Sequence, residues 1–413
     1  MSGRVSSPRD RAHWTSDHAR MADRVDELLA LRTQASERYF EEVADPLARL
    51  CHRAAERFSR GGRLLAVART PQACSDARHV AVEFVHPVIV GKRALPALAL
   101  TGDGEALRER VELTVEPADI AIAFGSDAAT AAALAAAARR GALTVAFEPI
   151  GAEWEFVPAA TDPFVRQELT ETAYHIVWEL VHVFFEHRGL LAGRDAAPVH
   201  DAGASSFLYP FLAEGEDDLE RVLDDLRRSI RLKAQETALL RAQTLGDGRD
   251  TLIAAGMELR ERLDAGGTLF ALGNGGSAAD AMDVVADLRE PPGGLPARRA
   301  IDLTEDGAIL TAIANDIGVD AIFRRQVIAH CHEGDVLLAI STSGGSANVI
   351  EALVEARRRG LATLAMTGYD GGPIAADRLA DHILLTRSQH IPRIQEAQAS
   401  AWHVLRELVE VAA

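Results

Sequence analysis

"EGDVLLAISTSGGSANVIEALVEARRRGLATLAMTG", residues 333–368, decides the fold. An apolar run passes through a short turn of serines, threonine and glycines into a helical pattern. After "RRRG" the chain returns to a second apolar run. Apolar runs that do not alternate and are separated by helices belong to parallel strands covered on both faces. Residues 117–149, "PADIAIAFGSDAATAAALAAAARRGALTVAFEP", repeat the order: strand, polar turn, helix, "RRG", strand.

The parallel extends outward. "ADRVDELLALRTQASERYFEEV" (22–43) and "PLARLCHRAAERFSRGG" (46–62) read as two helices, the second stopped by Gly61 and Gly62, followed by the strand "RLLAVA". In the later chain a helix over 217–245 is followed by "TLIAAGMELRERLDAGG" (251–267), stopped by Gly266 and Gly267, and by the strand "TLFALG". Each half closes on an apolar helix. The sequence therefore predicts an α/β protein made by tandem duplication, each copy a parallel sheet sandwiched by helices. The expected boundaries are 1–188 and 216–413, joined by a linker over 189–215 of loop composition.

A chain of 413 residues is long enough for two cores, and its 48% apolar and 25% charged content is that of a globular protein. Cys51, Cys74 and Cys331 follow no metal or disulfide spacing. The opening residues lack a signal-peptide pattern, and no apolar run reaches membrane-spanning length, so a cytoplasmic location and no membrane partner are expected. The net charge of −17 argues against nucleic acid, whose phosphates need a positive patch. It also means that an anionic substrate needs locally aimed donors.

Two turns of the second half supply such donors. "GNGGS" holds Asn274 and Ser277; "STSGGS" holds Ser341, Thr342, Ser343 and Ser346. Both follow strands, at the carboxyl ends where ligands sit in open parallel sheets. Glycines let backbone N–H groups converge, and the following helix presents its positive end to an anion. The missing lysine argues against ATP or GTP and for a single sugar-borne phosphate. A glycine turn used for geometry alone is the competing reading of "GNGG".

Five segments in order, "GNGGSAADAM", "LTAIANDIG", "GDVLLAISTSGGSANV", "MTGYDGG" and "RIQEAQASAWH", resemble the sugar isomerase (SIS) domain, in its phosphoheptose isomerase branch. The resemblance covers about residues 216–411. About 17–188 resembles the same domain in degenerate form. It implies two tandem SIS domains of flavodoxin-like layering and an intramolecular oxidoreductase-type isomerase. The implied reaction converts sedoheptulose 7-phosphate into D-glycero-D-manno-heptose 7-phosphate. It further implies a divalent metal, commonly Zn²⁺, and tetramers of single domains, so that a tandem chain is expected to form a homodimer.

By the same resemblance, phosphate and substrate contacts fall on Asn274, Ser277, Asp316, Ser341, Thr342, Ser343 and Ser346. The family's metal and acid–base set is a His and a Glu one turn apart after the glycine loop, then a Gln and a His eight apart on the last helix. In the second half its counterparts are Asp283, Asp287, Gln395 and His403, so the first pair is replaced. Pro392 also stands where the family has Asp.

The first half departs in the opposite places. It has "ARTPQ" for the glycine loop and "GSDAAT" for the hydroxyl turn, where Asp127 repels a phosphate. Yet His79, Glu83, Gln167 and His175 keep the family's metal set. An i,i+4 His and Glu share one helix face and can meet one cation, and such ligands suit zinc. Glu83 is the candidate base and His175 the candidate acid–base partner or ligand. This complementarity leads to an expected composite site, in which the first half's metal set serves a substrate whose phosphate the second half holds. Asp283 and Asp287 are then spectators to the chemistry. Incomplete motifs in both halves keep a second reading open: an inactive sugar-phosphate-binding or protein-docking scaffold.

Overall fold

The computed structural model describes residues 8–88, 92–186, 191 and 218–411; the expected linker over 189–215 lies outside the described residues except for Leu191. Among the described residues the strands form two five-stranded sheets. The N-terminal sheet contains β1 (Leu64–Ala68), β2 (Ala97–Thr101), β3 (Ile120–Ala123), β4 (Leu143–Ala146) and β5 (Trp154–Glu155). Its order is β2-β1-β3-β4-β5, with every pair parallel. The C-terminal sheet contains β6 (Leu269–Leu272), β7 (Ala300–Asp302), β8 (Val336–Ser341), β9 (Ala362–Gly368) and β10 (His382–Thr386). Read from β7, its order is β7-β6-β8-β9-β10, again all parallel. Both sheets thus share the 2-1-3-4-5 order, whose switch point lies beside the first strand.

Strand alternation explains the layering. On β8, Val336, Leu338 and Ile340 enter one core, while Leu337 and Ala339 enter the core on the opposite face. On β1, Leu64, Ala66 and Ala68 face one core, and Leu65 and Val67 the other. With both faces covered, each buried Leu or Val contributes about 1.5–3 kcal/mol.

Helices α2 (Pro71–Val85), α3 (Gly104–Thr114), α4 (Ala128–Arg139) and α5 (Pro163–Glu186) follow the strands of the first sheet. Helices α8 (Gly276–Arg289), α9 (Gly307–Asp316), α10 (Ile322–His330), α11 (Ala347–Arg358), α12 (Gly372–Ala376) and α13 (Ile391–Glu410) follow those of the second. The two helices expected at the start of the chain are one, α1 (Pro8–Ser59), which continues through Pro46. Helices α6 (Leu219–Asp247) and α7 (Arg249–Asp264) precede the second sheet.

The compact units follow packing rather than chain order. One comprises Ala35–Glu236; the other comprises Met1–Gln34 with Thr237–Ala413. Their bounds fall inside α1 and α6. The reason is side-chain partnership. Met21, Val25 and Leu28 of α1 join a core of the C-terminal sheet, whereas Tyr39, Phe40 and Leu47 join that of the N-terminal sheet. Val222, Leu226 and Ile230 of α6 belong to the N-terminal core, and Leu245 to the C-terminal one. None of the described helices is long and apolar enough to cross a membrane. The three cysteines are free thiols.

Candidate functional site

In the C-terminal unit glycines let each polar turn fold tightly, the first on itself and the second on the loop after β9. A Cβ on Gly273 would stand 2.2 Å from the Ser277 carbonyl oxygen, and Gly275 has φ +58°. A Cβ on Gly344 would meet the Gly371 carbonyl oxygen at 2.0 Å. These glycines allow close backbone approach, as the sequence pattern predicts. Asn274 and Asn348 exchange amide hydrogen bonds of 3.0 and 2.9 Å, tying the loop after β6 to the first turn of α11.

Ser341 ends β8 buried, its Oγ 3.4 Å from that of Ser346. Ser343 is exposed and accepts a hydrogen bond from the Gly345 N–H at 3.2 Å. Ser277 is buried in the first turn of α8. Thr342 is half-buried beside Ser341. Neither α8 nor α11 has a side-chain cap at its N-cap residue or an acidic residue in its first turn. Their positive ends therefore remain available to an anion. An open hollow of about 600 Å³ adjoins Ser343 and is lined also by Tyr369, Asp370, Arg387, Ser388 and Gln389. Asp316 lies exposed at the end of α9, accepting from Asn315 at 2.8 Å.

The corresponding turn of the N-terminal unit is filled by its own side chains. Asp127 caps α4 by accepting from the N–H groups of Ala129 and Thr130, and Arg69 donates to it at 3.0 Å. A carboxylate already occupies the place an anion would take.

Behind the turns each unit has a buried ligand cluster. In the N-terminal unit α2 packs on α5, bringing ligand atoms of His79, Glu171 and His175 within 4.8 Å of one another. His79 Nε2 lies 3.4 Å from His175 Nε2 and 3.9 Å from Glu83 Oε1; His79 Nδ1 lies 4.0 Å from Glu171 Oε1. Glu83 is buried, and its Oε2 has no hydrogen-bond partner. Burial pushes Glu83 up to about 7, with His175 opposing and Glu179 adding to the rise. Burial, and then His175, hold His79 well below the ordinary imidazole value, in the neutral form that metal ligation requires. Gln167 is half-buried one turn before Glu171. Two imidazoles with adjacent carboxylates fit a divalent cation.

In the C-terminal unit α8 packs on α13 and brings Asp283, Asp287 and His403 together, all buried. His403 Nε2 lies 3.4 Å from Asp283 Oδ2 and 3.5 Å from Asp287 Oδ2. Trp402 Nε1 donates to Asp287 Oδ2 at 3.0 Å. Burial, and the neighbouring Asp283, push Asp287 well above the usual carboxylate range. Gln395 is buried on the same helix as His403.

Sequence reasoning missed Glu171, Asn348 and Arg387. Glu171 had a visible signal, since Gln167, Glu171 and His175 recur every four residues on one helix face. The amide partnership of Asn348 had none.

The SIS domain family model matches residues 234–368. The chain is 43% identical over 194 residues to the phosphoheptose isomerase of Geobacter sulfurreducens, spanning 46% of this chain and 97% of that relative. It is 40% identical over 200 residues to the phosphoheptose isomerase of Halorhodospira halophila, spanning 47% and 95%. Among solved structures, the C-terminal domain of glucosamine-fructose-6-phosphate aminotransferase from Francisella tularensis is similar over 94% of this chain and 95% of that one. Its TM-score is 0.58 at 11% identity. Tagatose-6-phosphate ketose/aldose isomerase from Escherichia coli is similar over 94% of each chain, with TM-score 0.54 and 12% identity. At such identities the likeness is one of fold alone.

Proposed function

The chain belongs to the phosphoheptose isomerase family, and from that premise we propose that it interconverts sedoheptulose 7-phosphate and D-glycero-D-manno-heptose 7-phosphate. The N-terminal sheet unit is, in this reading, a degenerate second copy of the SIS domain. The reaction moves a proton between C1 and C2 through an enediolate. It needs an anchor for the phosphate, a base that works near neutral pH, and stabilisation of the enediolate charge.

The observation that carries the reading is the pair of hydroxyl-lined turns, each leading into an uncapped helix N-terminus at the carboxyl end of a strand. Ser277, Ser341, Thr342, Ser343 and Ser346 hold the phosphate, while Asn274 and Asp316 contact the sugar. Glu83, buried one helical turn from His79, is the base. His175 is its acid–base partner. His79, Glu83, Gln167 and His175, joined by Glu171, form a donor set that suits Zn²⁺. A divalent ion bound there supplies polarisation of the sugar carbonyl. Homodimeric assembly belongs to the same reading, and light scattering would read it as twice the chain mass.

The deciding experiment follows aldose–ketose conversion by NMR in Glu83→Gln. Turnover is expected to fall about 10²–10⁴-fold, with substrate binding retained in calorimetry. Turnover like that of the parent would move the acid–base role to Asp287 and His403. A parent protein that binds the sugar phosphate without converting it would instead favour a sugar-phosphate-binding scaffold.

A further inference from the structure

Building on the phosphate reading of the hydroxyl turn, we propose that Arg387 is a further residue that recognises the substrate's phosphate. Its place follows from strand register. Ser341 of β8 pairs with Thr367 of β9, and Thr367 pairs with Leu385 of β10. Two residues further along these strands stand Ser343, Tyr369 and Arg387, leaving three neighbouring strand ends in one row. Adjacent strands lie about 4.8 Å apart, so the Ser343 and Arg387 backbones are about 10 Å apart. A phosphate group and one long side chain together span such a gap. All three residues line the hollow of about 600 Å³.

Backbone bonds fix the row. The Gly368 N–H donates to the Thr342 carbonyl oxygen at 3.0 Å, and the Ile374 N–H to that of Gly344 at 3.1 Å. The loop after β9 is thereby pinned to the hydroxyl turn, and Thr386, the last residue of β10, pairs with Gly368. The Arg387 side chain is held less firmly. It also lines a second hollow of about 400 Å³, shared with Asp247. Its bond to Asp247 is 3.4 Å long, between two side chains that are each more than half exposed. Exposed pairs of this kind contribute little, so turning the guanidinium to a phosphate gives up little.

Charge supplies the reason. The donors of the turn itself are hydroxyls and backbone N–H groups, all uncharged, in a chain of net charge −17. Among the described residues lining the hollow, Arg387 is the one cation and Asp370 the one carboxylate. Asp370 is engaged within its own loop, where it accepts from the Gly372 N–H at 3.1 Å. A guanidinium stays charged and matches the geometry of phosphate oxygens, and its bonds to them are stronger than those of an uncharged donor.

Calorimetric titration of the full chain with sedoheptulose 7-phosphate, at several NaCl concentrations, tests this. Arg387→Gln should weaken binding at least about tenfold and make it less steeply dependent on salt. Asp247→Asn breaks the same surface pair but keeps the guanidinium, so its affinity should equal or exceed that of the parent. Circular dichroism checks the fold of each variant, and Arg387→Ala carries the test if Arg387→Gln fails to fold. Affinity in Arg387→Gln equal to that of the parent overturns the proposal and leaves the phosphate role of the serines standing. An equal loss in Asp247→Asn also overturns it, because the effect then belongs to the surface pair. A parent chain that binds no sugar phosphate brings down the phosphate reading of the turn, and this proposal with it.

Discussion

The two buried clusters occupy matching places in sheets of identical strand order, yet they hold different chemistry. The helix after the first strand carries His79 and Glu83 in one unit, and Asp283 and Asp287 in the other. The last helix supplies His175 and His403 alike, but Ala399 stands where Glu171 would be. One carboxylate has thus changed helices and one imidazole is gone. The turns differ in the opposite sense. Asp127 saturates the start of α4, while Ser346 leaves the start of α11 without a side-chain cap. The topology fixes where a ligand can sit, and a few side chains decide which ligand it is.

The largest effect expected from this contrast concerns the phosphate. Replacing Ser341 and Ser343 with Ala removes two donors that each contribute about 1.5–3 kcal/mol as bonds to a charged group. Calorimetry should show sedoheptulose 7-phosphate binding weakened at least about 100-fold with the fold retained. Unchanged affinity would take the phosphate out of this turn.

A smaller effect sharpens the account of Glu83. Its folded value of about 7 lies above the ordinary 4.5, so the folded state holds the proton more tightly than the unfolded chain. The corresponding stability is fully present below about pH 4.5 and is lost as pH rises through about 7, on the order of 3 kcal/mol in all. In metal-stripped protein, denaturant midpoints should fall across this window. The fall should be shallower in Glu83→Gln, and an equally steep one would place the linkage elsewhere.

The smallest effect separates the two helix starts. Asp127→Ala removes a working cap and should cost about 1 kcal/mol, visible as a lower Tm. Ser346→Ala removes no cap and should leave Tm nearly unchanged. Equal losses in the two variants would erase the distinction between the turns.

Much of this was legible in the chain itself. The runs at 333–368 and 117–149 specify strand, turn, helix and strand locally, because burial on both faces of a parallel strand demands continuous apolar residues. The glycines at 273 and 344 announce close backbone approaches that a Cβ would block, and Gly275 a positive φ. The sequence alone therefore determined the duplicated α/β plan, the glycine- and hydroxyl-bearing turns and the pairs His79–Glu83 and Asp283–Asp287. Only the tertiary structure decided which residues meet. Asp283 and His403 are 120 positions apart and come together because α8 packs on α13; Glu171 reaches His79 because α5 packs on α2. Packing likewise placed the unit bounds inside α1 and α6, where one helix changes its apolar partners midway. Periodicity states which face of a helix is buried, but the partner of that face is set by the whole core it joins.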